Sequence, residues 1–363
     1  MRLKVYRVGL VVVTLACSVP VIVAAQPRSA VAQVNRAIAA IDAKKYAEAE
    51  HMLRDVVKRY PNYYDARYEL ALVLSLQKKY QEALAECLPL CDSNLSKDSQ
   101  RDHYFQLLGN LYAQLDDTLN AELFYRRGLK IFPTSARLHV EMAIRAAQRG
   151  DLDEALEEIE SAISGDPSYP LSYYWGARFY RASTERLWVI FYAELFINLR
   201  PNSSKADEMS TIWYNVFREA IEEFDQNGRI ILSREIRANA PAGATFPEAF
   251  SSTLSDAARI LRFNRDFELP VASIDTLLSR FLDLWYERGL DTLYRNIIIE
   301  RYRHLRDEGL LEAYVHVVAQ YGKPMQFAEY AKQNRSQLEK LERWINKHRL
   351  VLDRTNYISR YRW

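Results

Sequence analysis

Apolar residues recur at intervals of three and four through much of this chain, the spacing that places side chains on one face of an α-helix. The clearest stretch is 105–133, where an apolar face surrounds Gly109. Polar residues 114–118 interrupt the pattern, and a second apolar stripe follows until Pro133, which cannot continue a helix. The stretch therefore predicts two antiparallel helices joined by a short turn.

A small residue at Gly109 allows a second helix to approach closely, and we expect Ala121 to supply the matching small contact. The whole pattern resembles the tetratricopeptide repeat, a helical hairpin of about 34 residues. The residues that carry the resemblance are Phe105, Leu108, Gly109, Tyr112, Ala121, Tyr125 and Pro133. Small residues and prolines recur at the same interval on both sides, apart from a four-residue insertion within the polar stretch 91–100.

The resemblance implies an all-α, right-handed superhelical solenoid of about five helical hairpins, which a C-terminal helical region continues. The repeat region is predicted over 26–203, with units at about 30–63, 64–101, 102–135, 136–169 and 170–203. The second helix of the fifth unit, LWVIFYAELFINL, is apolar nearly all round. Because an outermost helix should keep one polar face, we expect the region 204–363 to pack on it.

The C-terminal region loses the 34-residue pattern but keeps helical stripes. We interpret 207–225 and 230–236 as the two helices of a degenerate sixth hairpin. Gly228 is expected to end the first of these helices. Further helices are predicted at 247–263, 272–286, 290–305, 310–321 and 324–347.

The N-terminus has the layout of a secretory signal: basic residues, an apolar run, and small residues up to Ala25. Cleavage after Ala25 would make 1–25 a signal peptide, whereas an uncleaved run would anchor the chain in a membrane. Lipidation of Cys17 is a third alternative, which the continuation of the apolar run beyond it disfavours. All three alternatives predict an exported protein, periplasmic or associated with the cell envelope.

Composition excludes some partners. The chain has 363 residues, is 49% hydrophobic and carries a formal net charge of +2. Removal of the basic N-terminal segment would leave it close to neutral, so there is no electrostatic basis for binding nucleic acid. We therefore expect a protein or peptide partner and leave self-association open.

Two cysteines, Cys87 and Cys91, remain after the predicted cleavage site, in the motif CLPLC. An oxidising compartment would permit a disulfide between them, especially if Pro89 distorts the helix. Buried free thiols are the favoured alternative, because an intact helix gives poor disulfide geometry at this spacing and Cys87 occupies an apolar position of the repeat. Metal binding is the third, but no histidine lies near in sequence, and we predict no metal or cofactor.

In tetratricopeptide repeats the first helix of each unit lines the concave groove, so the resemblance implies groove positions in this chain. The candidate partner-binding residues are Tyr68, His103, Gln106, Asn110, Arg137, Tyr174, Arg178 and Arg181. The three arginines could recognise an acidic segment or could be ordinary solvated arginines. The set of polar residues with which some relatives clamp a terminal carboxylate is missing here, which disfavours a chaperone-tail receptor.

No catalytic motif is present. The six histidines form no close ligand pair, and the glycine patterns of nucleophile elbows and dinucleotide sites are absent. Glu157, Glu158 and Glu160 resemble paired carboxylates, but we interpret them as the charged outer face of a helix. Glu300 and His304 share a helical face, an arrangement that is equally an ordinary surface pair.

The sequence thus predicts a non-enzymatic exported scaffold that binds another envelope or secreted protein through its concave groove. The alternative is that the repeats serve a C-terminal helical domain with its own activity, for example on a surface polysaccharide.

Overall fold

The computed structural model describes residues 28–92, 95, 100–233, 245–261 and 269–362. The predicted signal segment, 1–25, lies outside these described residues. Within them the chain is all-α, as predicted, and has no strand. The chain divides after Lys78 into two compact units.

The first unit contains three described helices. They are α1 (Arg28–Asp42), α2 (Tyr46–Arg59) and α3 (Tyr64–Leu76). Helix α2 packs against both α1 and α3. Small and aliphatic residues fill the contact, including the fully buried Ala37, Ala49, Leu53 and Ala66. The alanines at these positions let the helices approach closely, as a helical hairpin of this kind requires.

The second unit contains the remaining helices. They are α4 (Tyr80–Cys87), α5 (Asp102–Gln114), α6 (Thr118–Ile131), α7 (Ala136–Gln148), α8 (Leu152–Gly165), α9 (Pro170–Arg181), α10 (Arg186–Leu199), α11 (Ser204–Asn227), α12 (Phe246–Ala258), α13 (Val271–Glu287), α14 (Leu290–Leu293), α15 (Ile297–Asp307), α16 (Leu311–Val318), α17 (Pro324–Gln333) and α18 (Arg335–Lys347). Short 3₁₀ turns at Leu88–Cys91 and Arg360–Arg362 complete it.

Residues with a left-handed backbone conformation follow several of the helices. Lys44, Lys78, Asp116 and Gly150 have φ values of 58°, 62°, 60° and 81°, and they follow α1, α3, α5 and α7. Their spacing is the interval seen in the sequence, including the longer step that spans the predicted insertion. Such a residue reverses the chain after a helix, which explains why the turn recurs with the repeat.

Within the second unit, α5–α6, α7–α8 and α9–α10 form consecutive hairpins, and α5, α7 and α9 contact one another in order. This is the stacking of a helical solenoid, as predicted. At Gly109 the three atoms nearest to a Cβ built there belong to the ring of Tyr125. An aromatic ring of α6 therefore packs directly on this glycine, and the expected contact from Ala121 stays a prediction.

Helix α10 is buried on every side from Leu187 to Ile197. Its cover comes from the C-terminal region: the ring of Phe191 lies 5.4 Å from that of Phe250, and Trp188 lies 6.2 Å from Phe246. Polar side chains on the outer face would lose hydration here, which accounts for the apolar sequence of this helix.

The prediction of a sixth hairpin is wrong for its second helix. Helix α11 ends at Asn227 and is capped by Gly228, with φ 70°, as expected. Residues 230–233 are not helical, and 234–236 lie outside the described residues. The backbone N–H groups of Ile230 and Leu232 donate to Ser255 and Ser251 of α12, and the Leu232 carbonyl accepts from Leu187 N. Because these backbone groups already have hydrogen-bond partners, the segment does not depend on helical hydrogen bonds to satisfy them.

Two predicted helices are divided. The stretch 290–305 breaks before α15 because the Asn296 side chain accepts from the N–H groups of Ile298 and Ile299 and begins a new helix. The stretch 324–347 breaks at Asn334. Across the described residues, no helix combines the length and apolar character needed to span a membrane.

Candidate interaction site

The predicted groove residues fall in both units. Tyr68 lies half-buried on α3 of the first unit. The other seven lie in the second unit, on the first helices of three successive hairpins: His103, Gln106 and Asn110 on α5, Arg137 on α7, and Tyr174, Arg178 and Arg181 on α9.

Two side-chain amides of α5 donate hydrogen bonds to one carboxylate of α7 and so link the two helices. Gln106 Nε2 donates to Glu141 Oε1 at 2.8 Å, and Asn110 Nδ2 reaches the same oxygen at 3.4 Å. Burial raises the pKa of the Glu141 carboxyl, and these two hydrogen bonds oppose that rise. Asn110 also accepts a hydrogen bond from the buried Tyr125 hydroxyl, which fixes its orientation.

Arg137 extends this network toward the start of α5. Its Nε donates to Asp102 Oδ2 at 3.2 Å, and one terminal nitrogen reaches Gln106 Oε1 at 3.3 Å. The guanidinium also lies 5.6 Å from the centre of the Tyr169 ring. Burial alone would raise the pKa of Asp102, but hydrogen bonds from His103 and Ser135 and the charge of Arg137 bring it down to about 2.

A pocket of about 440 Å³ opens beside Arg137. Its walls combine the turn between α6 and α7 with the end of α8, and its lining includes Asp102, Phe132, Pro133, Arg137, Asp166 and Tyr169. Its lining is more polar than apolar, and this mixture of charged, hydroxyl and aromatic groups suits one or two side chains of a bound polypeptide.

The α9 residues are linked to α11. Tyr174 donates its hydroxyl proton to Glu208 Oε2 at 2.6 Å, and Arg178 donates to the Tyr174 oxygen at 2.9 Å. Arg178 also lies 3.6 Å from Glu208 and 5.0 Å from the centre of the Trp175 ring.

All three candidate arginines therefore have carboxylate partners within the chain. Arg137 pairs with Asp102, Arg178 with Glu208, and Arg181 with Glu219. An acidic partner segment would have to compete with these carboxylates, so the first helices present paired charges and amides rather than bare guanidinium groups.

We define the first-helix face as the side of α5, α7 and α9 that carries Gln106, Asn110, Arg137, Glu141, Tyr174 and Arg178. Arg178 is exposed, Tyr174 is buried, and the other four side chains are half-buried. Sequence reasoning missed Glu141 because it looked only at fixed places in each unit, and Glu141 lies next to one of them. Glu208 was missed because it belongs to α11, outside the five predicted repeats.

The two cysteines are buried free thiols in this structure. Helix α4 ends at Cys87, and Pro89 lies in the following 3₁₀ turn, which carries Cys91. A hydrogen bond with Cys91 and burial both raise the pKa of the Cys87 thiol. Among the described residues, no group of three His, Cys, Asp or Glu side chains is arranged to hold a metal ion.

The interpretation of the α8 carboxylates as a solvated face was wrong for Glu160. Glu160 is 1% exposed and accepts four hydrogen bonds. Glu158 is half-buried and bonds His139 Nδ1 at 2.6 Å, while Glu157 is exposed as predicted. Two of the donors to Glu160 come from the far end of the chain, so its own helix gave no signal of burial.

Glu300 lines a second pocket, of about 270 Å³, with Tyr286, Asp291, Arg295 and Arg303. His304 is not among the lining residues, so this pocket does not unite the pair considered from the sequence.

Comparison with known families identifies the repeats. Two family models, each described as "Tetratricopeptide repeat", match residues 34–92 and 102–135. These matches do not extend into the C-terminal region. A search of curated proteins found no match.

Several solved structures are similar over about half of the chain. TTC0263, a thermophilic TPR protein in Thermus thermophilus, is 14% identical and has a TM-score of 0.44, covering 52% of this chain and 98% of its own. YrrB, "a TPR protein with an unusual peptide-binding site", is 18% identical with a TM-score of 0.34, covering 49% and 89%. MamA is 16% identical with a TM-score of 0.36, covering 47% and 96%.

The matched segments are tetratricopeptide repeats, and repeats of this family support a protein-interaction scaffold in general.

Proposed function

We propose that this tetratricopeptide-repeat protein is an exported scaffold that binds another envelope or secreted protein through its first-helix face. The observation that carries the proposal is the network that joins Gln106 and Asn110 to Glu141, and Gln106 through Arg137 to Asp102. It holds amide and guanidinium groups in fixed positions beside a pocket large enough for side chains.

Fixed polar groups favour binding because they lose little side-chain entropy when a partner arrives. Gln106 and Arg137 are half-exposed, and the five N–H donors of the Arg137 guanidinium leave it donor atoms for a second acceptor. A polypeptide in extended conformation offers main-chain carbonyl groups that these donors can reach, and its side chains can enter the pocket beside Tyr169. The paired arginines make the surface nearly neutral, which favours recognition by hydrogen bonds and shape over recognition by charge.

A capture experiment tests the site. The chain from residue 26 onward is immobilised beside the double variant Gln106→Ala/Arg137→Ala, and both are exposed to an envelope extract. We expect the amount of a specific partner captured by the variant to fall at least about tenfold, because one amide contact and one guanidinium contact are lost. The matched control is Gln114→Ala/Gln148→Ala, which removes two exposed amides at the ends of the same helices. Equal capture by all three proteins would overturn the assignment.

Export rests on the N-terminal pattern of basic, apolar and small residues. The direct test is the N-terminal sequence of the protein recovered from cells that express the full chain. We expect it to begin at Gln26, in the exported fraction. A protein that retains Met1 in the cytoplasm would contradict the proposal.

A further inference from the structure

The last residues of the chain form a compact segment that we call the C-terminal strap, residues 351–362. It is organised by its own hydrogen bonds: Asp353 accepts from Thr355, Asn356 accepts from Asp353 N, and Arg362 donates to the Thr355 and Tyr357 carbonyls. The strap therefore carries much of its conformation with it.

The strap docks on the carboxylate of Glu160 in α8. Glu160 Oε1 accepts from the Tyr180 and Tyr192 hydroxyls, each at 2.7 Å. Glu160 Oε2 accepts from Ser359 Oγ at 2.6 Å and from the Arg360 N–H at 3.0 Å. One carboxylate oxygen is thus held by the repeat helices α9 and α10, and the strap supplies both of these bonds to the other oxygen.

Further contacts surround this centre. Ile358 is fully buried, and the Arg360 guanidinium lies 6.0 Å from the centre of the Tyr180 ring. Arg354 donates to the Gly165 carbonyl at the end of α8 at 3.2 Å. The strap thereby brings a hydroxyl, a main-chain N–H and two basic side chains to α8–α10 and adds one buried apolar side chain, and these are elements of peptide recognition.

The connection to the rest of the chain is partly exposed. Arg349 lies on the surface and Val351 is 67% exposed, whereas Leu350 is half-buried and Leu352 is buried. Release of the strap would leave Glu160 buried beside its two tyrosines without the donors of Ser359 and Arg360. A buried carboxylate that loses half of its hydrogen bonds is costly, so the site favours rebinding of a segment with the same donors.

We propose that α8–α10 form a second peptide-binding site, separate from the first-helix face, whose ligand is the chain's own C-terminal strap. The strap occupies the site in cis and exchanges with a strap segment supplied in trans. The site recognises a hydroxyl side chain followed by a main-chain N–H, with a basic side chain over Tyr180.

The test uses the full chain and a fluorescent peptide of residues 350–363. The variant Ile358→Asp places a charge at a buried anchor and releases the strap. We expect the peptide to bind this variant at least about tenfold more tightly than wild type, where the tethered strap competes at high effective concentration. Adding Glu160→Gln should weaken peptide binding to the variant by about tenfold or more, whereas Glu157→Gln, exposed on the same helix, should leave it unchanged.

Equal binding to wild type and Ile358→Asp, no binding to a folded Ile358→Asp variant, or equal effects of Glu160→Gln and Glu157→Gln would overturn the proposal. If Ile358→Asp does not fold, hydrogen exchange decides. The Arg360 amide should exchange at least about tenfold faster in Glu160→Gln than in Glu157→Gln, and the free peptide should accelerate its exchange in wild type. Unchanged exchange in both comparisons would equally overturn it.

Discussion

The Glu194 carboxylate accepts a hydrogen bond from the Tyr314 hydroxyl at 2.7 Å, although 120 residues separate them in the chain. Trp213 Nε1 donates to the same carboxylate at 3.0 Å, and the Tyr302 hydroxyl also donates to it. Glu194 is fully buried in α10, so helices α11, α15 and α16 supply the hydrogen bonds that replace its hydration. The fifth predicted hairpin and the C-terminal region therefore share one polar core.

This carboxylate should make stability depend on pH. Burial raises the pKa of Glu194 to about 7, and the donors Tyr302, Tyr314 and Trp213 oppose that rise. The folded state then binds a proton that the unfolded state has lost, so the contribution is present at acid pH and is lost as pH rises from about 4.5 to about 7. Its upper size is about 3 kcal/mol, at 1.36 kcal/mol for each pKa unit.

Urea unfolding at pH 5.0 and 7.5 measures this effect. Glu194→Gln stays neutral, so its loss of stability between the two pH values should be smaller than that of wild type. Burial lowers the pKa of His316 to about 4, so its contribution to stability increases between these two pH values. Only the difference between wild type and Glu194→Gln therefore isolates the effect of Glu194. Glu157→Gln should follow wild type, and a Glu194→Gln profile parallel to wild type would contradict the assignment.

The contact between Gly109 and Tyr125 should tolerate no added methyl group. A Cβ at position 109 would lie 2.1 Å from Tyr125 Cε1, and the tyrosine is fully buried. We expect Gly109→Ala to destabilise the protein by about 1–3 kcal/mol, despite the better helix propensity of alanine. In a Tyr125→Leu background the same change should cost less. A double-mutant cycle by urea unfolding measures this coupling, and an equal cost in both backgrounds would exclude the contact.

The C-terminal region should depend on the repeats for its fold. Residues 204–363 alone lose Glu194 as the acceptor for Trp213, Tyr302 and Tyr314, and lose α10 as the apolar surface under Phe250. We expect this fragment to aggregate or to unfold without a cooperative transition. Fragment 136–363, which restores α7–α10, is the control and should unfold cooperatively. A soluble, cooperatively folded 204–363 would instead favour a C-terminal domain with its own activity.

The hairpins could be predicted because their signals are local. The signals are Gly109, the alanines at the repeat interval and Pro133, and each depends only on the helices next to it in the chain. The left-handed residues Lys44, Lys78, Asp116 and Gly150 recur at the same interval. The all-α prediction rested on the same periodicity.

Contacts between distant segments could not be predicted in this way. Glu160 follows two acidic neighbours that resemble a solvated face, and Ser359, which helps to bury it, lies 199 residues away. Residues 230–232 carry apolar side chains suited to a helix, but Ser251 and Ser255 of α12 accept hydrogen bonds from the N–H groups of Leu232 and Ile230. On the first-helix face, the resemblance to the tetratricopeptide repeat implied Gln106 and Arg137 but not the carboxylates that hold them.

The most direct test of the proposed scaffold places a photo-crosslinking amino acid at Gln106, on the first-helix face, and separately at Leu119, which is 84% exposed on α6. Each variant is expressed in the native cell, irradiated, and examined for crosslinked partners by mass spectrometry. We predict a specific partner protein crosslinked from position 106 and absent from position 119. The same partner crosslinked from position 119 but not from position 106 would contradict binding through the first-helix face.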